Sequence, residues 1–212
     1  MRIGLIADRE QKNALLKNCL PGGKALTWLD LEGYRETDAV DIYFDCLFDE
    51  TVAQTSYPDT GKLVFINAVS LTCTELPANC IRFNGWNGFL ERRLLEVCAG
   101  DTARQKEAEN ILRLLNHPFS FVRDTPGMIT PRIVAMIINE AYFGLGDRIS
   151  TPDQIDTAMK LGTRYPYGPF EWAEKIGLKK IRQLLGKLGQ SDPVYQIAPE
   201  LEKAVIHQIP QT

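Results

Sequence analysis

The sequence is poor in the residues that build metal sites. Among its 212 residues are two histidines and five cysteines, and no cysteines form a Cys-x-x-Cys pair. The histidines lack a spacing typical of metal ligands, so no zinc site is expected. An odd number of widely spaced cysteines, several within apolar runs, predicts buried free thiols and a reducing compartment.

Long apolar runs and an excess of one charge are also lacking. Residues 1–6 have no extended apolar core of the kind that a signal peptide carries. The longest apolar stretch, 133–145, is broken by Glu140 and is too short to cross a bilayer. Lys and Arg number 24 against 27 Asp and Glu, with both signs spread along the chain. We therefore expect a cytoplasmic protein that binds neither nucleic acid nor a membrane.

The apolar content is sufficient for a sizeable core. Hydrophobic residues make up 44% of the chain and charged residues 24%, as in an average globular protein. Through residues 1–122, short runs rich in Ile, Val, Leu and Phe are joined by helical patterns and turns. Such runs predict a parallel sheet covered on both faces. The predicted strands are 3–7, 25–29, 41–47, 62–68 and 80–83, and a helix is predicted over 11–19.

From residue 123 onward the pattern is helical. Residues 123–127 are typical of a turn-forming linker. Thr130-Pro131 and Thr151-Pro152 each place a capping hydroxyl before a proline, which predicts helix starts. Further helices are predicted from Pro169 to Ile176, over 179–188 and over 199–207. We therefore expect two domains, 1–122 and 123–212, while residues 91–99 fit a helix or a strand equally well.

Several segments resemble the 3-hydroxyacyl-CoA dehydrogenase family. Residues 124–129 resemble the linker into the family's second domain. Residues 156–162 and 165–171 are similar to its C-terminal signature, in the same order and at the same spacing from the linker. Upstream, residues 40–50, 67–71 and 95–97 resemble the family's fourth-strand segment, its Asn-Thr-Ser-Ser-Leu segment and the strand that carries its catalytic glutamate.

The resemblance implies a fold, a reaction and partners. The fold class is α/β plus all-α: a Rossmann-like parallel sheet followed by a helical domain of the 6-phosphogluconate dehydrogenase C-terminal-like type, which also mediates homodimerisation. The implied reaction is the NAD-dependent oxidation of a 3-hydroxyacyl-CoA in fatty acid metabolism, so NAD and an acyl-CoA are the implied ligands. Only ten residues separate Asp30 from Asp41, too few for a crossover helix and a further strand. We therefore predict a truncated Rossmann-like domain.

The first strand-to-helix turn lacks the glycines of a dinucleotide-binding loop. A G-x-G-x-x-G pattern lets the backbone approach the pyrophosphate, but residues 7–13 contain no glycine. Asp8 and Glu10 would place carboxylates beside the phosphates, at a cost of about 1–4 kcal/mol each. Asp30, at the end of the second predicted strand, is either a ribose ligand of NAD or an ordinary turn residue.

The predicted catalytic positions are also altered. The family's histidine lies twelve residues before its partner glutamate, and counting back from Glu96 places Asn84 there. Asn87 then matches the asparagine of the histidine segment. An amide cannot accept a hydroxyl proton near neutral pH, and loss of a positioned base costs about 10²–10⁴ in rate. Glu96 is therefore either catalytic or a structural carboxylate.

The substrate positions match the family in part. Ser70 corresponds to a serine that touches substrate, although a serine after a strand is also a common turn residue. Pro131 stands where the family has an asparagine, and it offers no donor. Residues 165–171 are interpreted as a rigid turn between helices.

We predict a degenerate, dimeric binding module, a pseudoenzyme. The alternative is an active NAD-dependent oxidoreductase in which Glu96 or a water replaces the histidine.

Overall fold

The computed structural model describes residues 1–18, 25–28, 40–48 and 61–207. The chain divides into two units, Met1–Met128 and Ile129–Thr212. The division lies somewhat downstream of the predicted domain boundary between residues 122 and 123. Each unit has its own core.

The first unit is built on a seven-stranded sheet with strand order β2-β1-β3-β4-β5-β6-β7. Neighbouring strands in this sheet are parallel, except for the antiparallel pair β5 and β6. Helix α1 follows the first strand, and α2 follows the sixth. The elements are β1 (Arg2–Ile6), α1 (Arg9–Asn18), β2 (Ala25–Trp28), β3 (Ile42–Asp45), β4 (Val64–Ile66), β5 (Cys80–Phe83), β6 (Leu95–Cys98), α2 (Thr102–Leu114) and β7 (Phe119–Phe121).

This topology confirms the truncated Rossmann-like sheet. The chain moves from β1 to β2 on one side and then returns to β3 on the other, so the strand order reverses between β1 and β3. Within the described ranges, β2 is the edge strand and no further strand lies beyond it. In doubly wound folds, ligands bind at the carboxyl ends of the strands where this reversal occurs.

The core of the first unit follows the two-residue period of its strands. Ile3 and Leu5 face one apolar cluster together with Phe44, whereas Ile6 and Tyr43 face the other. Both faces are buried, which is why these strands appear in the sequence as continuous apolar runs. The Phe44 ring stacks on the Phe65 ring, with centroids 4.4 Å apart.

The buried thiols predicted from the sequence are present. Cys46, Cys80 and Cys98 are buried, and Cys73 is half-buried. Burial raises the pKa of Cys80 to about 12, so this thiol stays protonated at neutral pH. Cys19 lies outside the described residues.

The second unit is entirely helical over its described length, as predicted. Its helices are α3 (Thr130–Gly146), α4 (Pro152–Thr163), α5 (Pro169–Ile176), α6 (Leu178–Gly189) and α7 (Pro199–His207). Thr151 caps α4 as predicted, because its hydroxyl accepts from the Gln154 N–H at 3.4 Å. One predicted start was wrong by a residue: Ile129 occupies the cap position of α3, and Thr130 is its first helical residue.

The core of the second unit is aliphatic around one tryptophan. Trp172, Ile181, Leu184 and Leu201 are at most 1% exposed. Asn139 of α3 is buried among them and is satisfied by the chain: its Nδ2 donates to the Gln196 carbonyl, and its Oδ1 accepts from the Ala198 N–H. Over the part of the chain that the structure describes, no helix has both the length and the apolar character needed to cross a membrane.

Candidate active site

The turn from β1 into α1 is closed by a reciprocal pair of side chains. The Gln11 N–H donates to Asp8 Oδ1 at 2.8 Å, and the Asp8 N–H donates to Gln11 Oε1 at 3.0 Å. This is a capping box, with an N-cap acid and a glutamine three residues later. The Asp8 carboxylate therefore lies at the N-terminus of α1, where a negative charge is favoured by the helix dipole.

The Gln11 amide also reaches the carboxyl ends of two strands. Its Nε2 donates to the Cys46 carbonyl after β3 at 2.9 Å and to the Gly85 carbonyl after β5 at 3.0 Å. Asn67, after β4, donates from Nδ2 to the same Cys46 carbonyl and accepts from the Gly85 N–H. We call Gln11, Cys46, Asn67 and Gly85 the amide network. It joins α1 to the carboxyl ends of three strands.

Gly85 is required in this network by space. A Cβ at this position would lie 2.7 Å from Phe83 Cε2 and 2.9 Å from Asn67 Cγ. Both neighbours belong to buried side chains, so neither has room to retreat. The close approach lets the Gly85 N–H and carbonyl both meet amide side chains.

The residues of this turn do not fit the pyrophosphate of NAD. The Asp8 carboxylate already lies at the helix N-terminus, the position that receives phosphate in dinucleotide-binding folds. The Gln11 N–H donates to that carboxylate, and the Lys12 N–H donates to the Asp8 carbonyl. No glycine opens the turn to a ligand, and the Gln11 side chain is held across the strand ends.

The structure places Asn84 and Glu96 side by side. They lie opposite each other where β5 and β6 pair, and the Asn84 N–H donates to the Glu96 carbonyl at 3.1 Å. Both residues are buried. Asn84 Oδ1 accepts from the Trp86 N–H at 3.3 Å, so its amide oxygen is used to shape its own turn.

The other predicted site residues are distributed around the strand ends. Asn87 lies beside the first turn, since its Nδ2 donates to Asp8 Oδ2 at 3.2 Å. Ser70 is buried in the loop that follows β4. Asp30, the predicted ribose ligand, lies outside the described residues.

Sequence reasoning missed a buried arginine near Ser70. The Arg82 side chain is fully buried, donates to the Ala68 and Val69 carbonyls, and forms an ion pair with Asp124. The Asp124 carboxylate also accepts from the Cys73 N–H. These bonds fix the Ser70 loop to the linker segment at 124–127. The sequence did carry a signal for this role, because Arg82 is a charged residue inside an otherwise apolar strand.

The signature of the second unit is a structural turn, as interpreted from the sequence. The Asp156 carboxylate accepts from the Phe170 N–H at 2.8 Å and from the Glu171 N–H at 3.1 Å, and so caps α5. A Cβ on Gly168 would overlap that carboxyl, which explains the glycine. Glu171 accepts from the Gly168 N–H at 2.9 Å and forms an ion pair with Lys160 of α4.

Residues 127–208 match the family model described as the C-terminal domain of 3-hydroxyacyl-CoA dehydrogenase. The 3-hydroxyadipyl-CoA dehydrogenase of Escherichia coli is 48% identical over 67 residues, 32% of this chain and 14% of the relative. A probable 3-hydroxybutyryl-CoA dehydrogenase of Bacillus subtilis is 27% identical over 188 residues, 80% of this chain and 66% of the relative. The chain is thus similar to 3-hydroxyacyl-CoA dehydrogenases, and its residues 127–208 match their C-terminal domain.

A solved member of the family supports the fold assignment. The crystal structure of (S)-3-hydroxybutyryl-CoA dehydrogenase from Ralstonia eutropha has a TM-score of 0.68 and covers 97% of this chain, with 93% of its own chain covered. At 17% sequence identity, this likeness shows the fold alone. The chain spans less than two thirds of the length of the two curated relatives named above.

Proposed function

We propose that this chain, which is similar to 3-hydroxyacyl-CoA dehydrogenases, has little or no hydride-transfer activity and acts as a dimeric module that binds an acyl-CoA. Asn84 carries the proposal. It stands at the predicted position of the general base, and its amide oxygen is held by the Trp86 N–H. A neutral amide does not accept a proton from a substrate hydroxyl near neutral pH.

The first turn supports the same proposal independently. A NAD-binding domain over residues 1–122 would need an open helix terminus, and here Asp8 supplies the charge at that position. A pyrophosphate beside this carboxylate would meet electrostatic repulsion of about 1–4 kcal/mol. NAD, implied by the family, is therefore not part of the proposed function.

The proposed ligand is an acyl-CoA, the class of substrate that the names of the relatives indicate. Ser70 and Asn87 are the proposed contacts. Asn87 is held by its bond to Asp8, and the Ser70 loop is held by Arg82. Both supports belong to the chain itself, so the contacts do not depend on a cofactor.

The proposed dimer forms through the helical domain, 123–212. Helix α4 has twelve residues, and Asp156 is its one buried residue. Leu161 of this helix is 79% exposed. A second copy of the chain that covers α4 would remove this apolar surface from water.

The second candidate function is an active oxidoreductase that uses Glu96. One observation favours it: the Glu96 carboxyl is on a buried strand residue directly beside Asn84. A carboxylate in such a place is a possible proton acceptor. Turnover that Glu96→Gln abolishes would identify this function.

Calorimetric titration of the full chain tests the proposed binding. Acetoacetyl-CoA is expected to bind saturably without NADH, and Ser70→Ala to weaken that binding by about tenfold, the loss of one hydrogen bond of about 1.4 kcal/mol. Ser191→Ala, a serine of the helical unit that bonds to the Leu188 carbonyl, is the matched control and should bind as the wild type does. Heat that stays at the level of dilution throughout would contradict the proposal.

A further inference from the structure

The amide network lies at the place where a doubly wound sheet ordinarily holds its ligand. The strand order reverses between β1 and β3, and ligands of such sheets lie outside the carboxyl ends at this reversal. Gln11 follows β1, and it donates to Cys46 immediately after β3. Its second acceptor, Gly85, lies beyond β5. The side chain therefore runs across the strand ends from the point of reversal.

Gln11 uses its whole amide in these contacts. A glutamine amide has two N–H donors and one carbonyl acceptor. Here Nε2 donates to the Cys46 and Gly85 carbonyls, and Oε1 accepts from the Asp8 N–H. The residue is 2% exposed. It is thus a buried polar group whose hydrogen bonds all come from the chain.

Asp8 completes the arrangement with a negative charge. One carboxylate oxygen accepts from the Gln11 N–H, and the other accepts from Asn87 Nδ2. The charge lies at the N-terminus of a ten-residue helix, where the exposed N–H groups and the helix dipole favour an anion. A bound phosphate would fill the same electrostatic role.

We propose that Asp8 and Gln11 are an internal substitute for the dinucleotide. The Asp8 carboxylate replaces the phosphate charge at the α1 terminus, and the Gln11 amide supplies hydrogen bonds to the strand ends. This deepens the proposed function and rests on it: the first unit folds around its own side chains and excludes the nucleotide. The bonds of Gln11 to the Cys46 and Gly85 carbonyls hold this substitute across the strand ends.

Substitutions of Gln11 separate this role from simple helix capping. Gln11→Glu keeps the carbonyl-type oxygen of the capping box, which accepts Glu and Gln alike, but replaces both amide donors with a carboxylate facing two carbonyls. We expect Gln11→Glu to lower the midpoint of thermal unfolding by about 5 °C or more, and Gln11→Ala by about 5 °C. Asn13→Ala, on the exposed side of α1, is the control and should leave the midpoint within about 2 °C.

The wild-type chain supplies the second measurement, which needs no variant. NADH is expected to leave both the thermal midpoint and its own fluorescence unchanged on mixing with the full chain. A Gln11→Glu variant as stable as the wild type would contradict the proposal that Asp8 and Gln11 replace the dinucleotide. A rise in the thermal midpoint of the wild type on addition of NADH would also contradict it. NADH binding without turnover would remove this inference and leave the proposed function standing, whereas NADH turnover would remove the proposed function.

Discussion

At the scale of single residues, buried and half-buried polar side chains of the candidate site and of the helical signature form hydrogen bonds to the chain itself. Asp8 caps α1, Asn84 shapes its own turn, and Asp156 caps α5. The family resemblance paired Asn84 with Glu96 by their twelve-residue spacing, and the two residues meet where β5 and β6 pair. The sequence did not predict the role of Gln11, since its acceptors lie 35 and 74 residues away in the chain.

The Gly168–Asp156 contact gives a prediction at this scale. Gly168→Ala places a methyl group against the Asp156 carboxyl and should lower the free energy of unfolding by about 1–3 kcal/mol. Gly162→Ala is the matched control within α4, because nothing lies within 4 Å of its added Cβ. It should be neutral or stabilising by up to about 1 kcal/mol. Urea unfolding followed by circular dichroism measures both, and equal effects would refute the contact.

At the scale of elements, prediction succeeded where one segment carries its own signal. Strands β1, β3, β4 and β5 were found because both of their faces are buried, and α4 was found from its Thr151 cap. Strand β7, which is only half-buried, lacks this signal. Residues 91–99 were ambiguous because their state depends on partners: β6 exists through its pairing with β5 and β7. The hydrophobic pattern of these nine residues alone cannot predict which strands they will pair with.

The junction of α4 and α5 gives a pH-dependent prediction. The Lys160 ammonium, with the Gly168 N–H, holds the pKa of the Glu171 carboxyl below its ordinary value of 4.5. The unfolded chain therefore takes up this proton at higher pH than the folded chain does. The stabilisation is present above the ordinary value and is lost as the pH falls through the lower, folded value.

Urea midpoints of the wild type and Glu171→Gln should consequently differ at about pH 6 and converge toward about pH 3. Lys160→Met removes the ion-pair partner of Glu171. In that background, Glu171→Gln should change the urea midpoint at about pH 6 by less than it does in the wild type. A gap between wild type and Glu171→Gln that stays constant across this range would show that the ion pair does not stabilise the junction.

At the scale of the whole molecule, the strand order agrees with the Rossmann-like sheet that the resemblance implied. The short interval between Asp30 and Asp41 predicts a truncated sheet, because a crossover and strand have a minimum length; most of that interval lies outside the described residues. The closure of the strand ends by the amide network was beyond prediction. It arises from loops brought together by the completed sheet, and their side chains have no common spacing in the sequence.

The proposed dimer gives a prediction for the assembly. Light scattering should report twice the 23.9 kDa mass of the chain, and Leu161→Glu should weaken association by at least about tenfold, because a charge replaces an apolar contact. Val194→Glu changes another exposed apolar residue of the same unit, 61% exposed and outside α4. It should leave the dimer intact. A wild-type chain that is monomeric at high concentration would contradict the assembly.

The central proposal is that a dehydrogenase-like scaffold lacks a proton acceptor at position 84. Spectrophotometric turnover of acetoacetyl-CoA with NADH tests this most directly. The account predicts that the wild-type chain oxidises no NADH above background, as expected with an amide at position 84. Substrate-dependent oxidation of NADH that Glu96→Gln abolishes and Glu91→Gln retains would contradict it, because a working base would then be present in the chain.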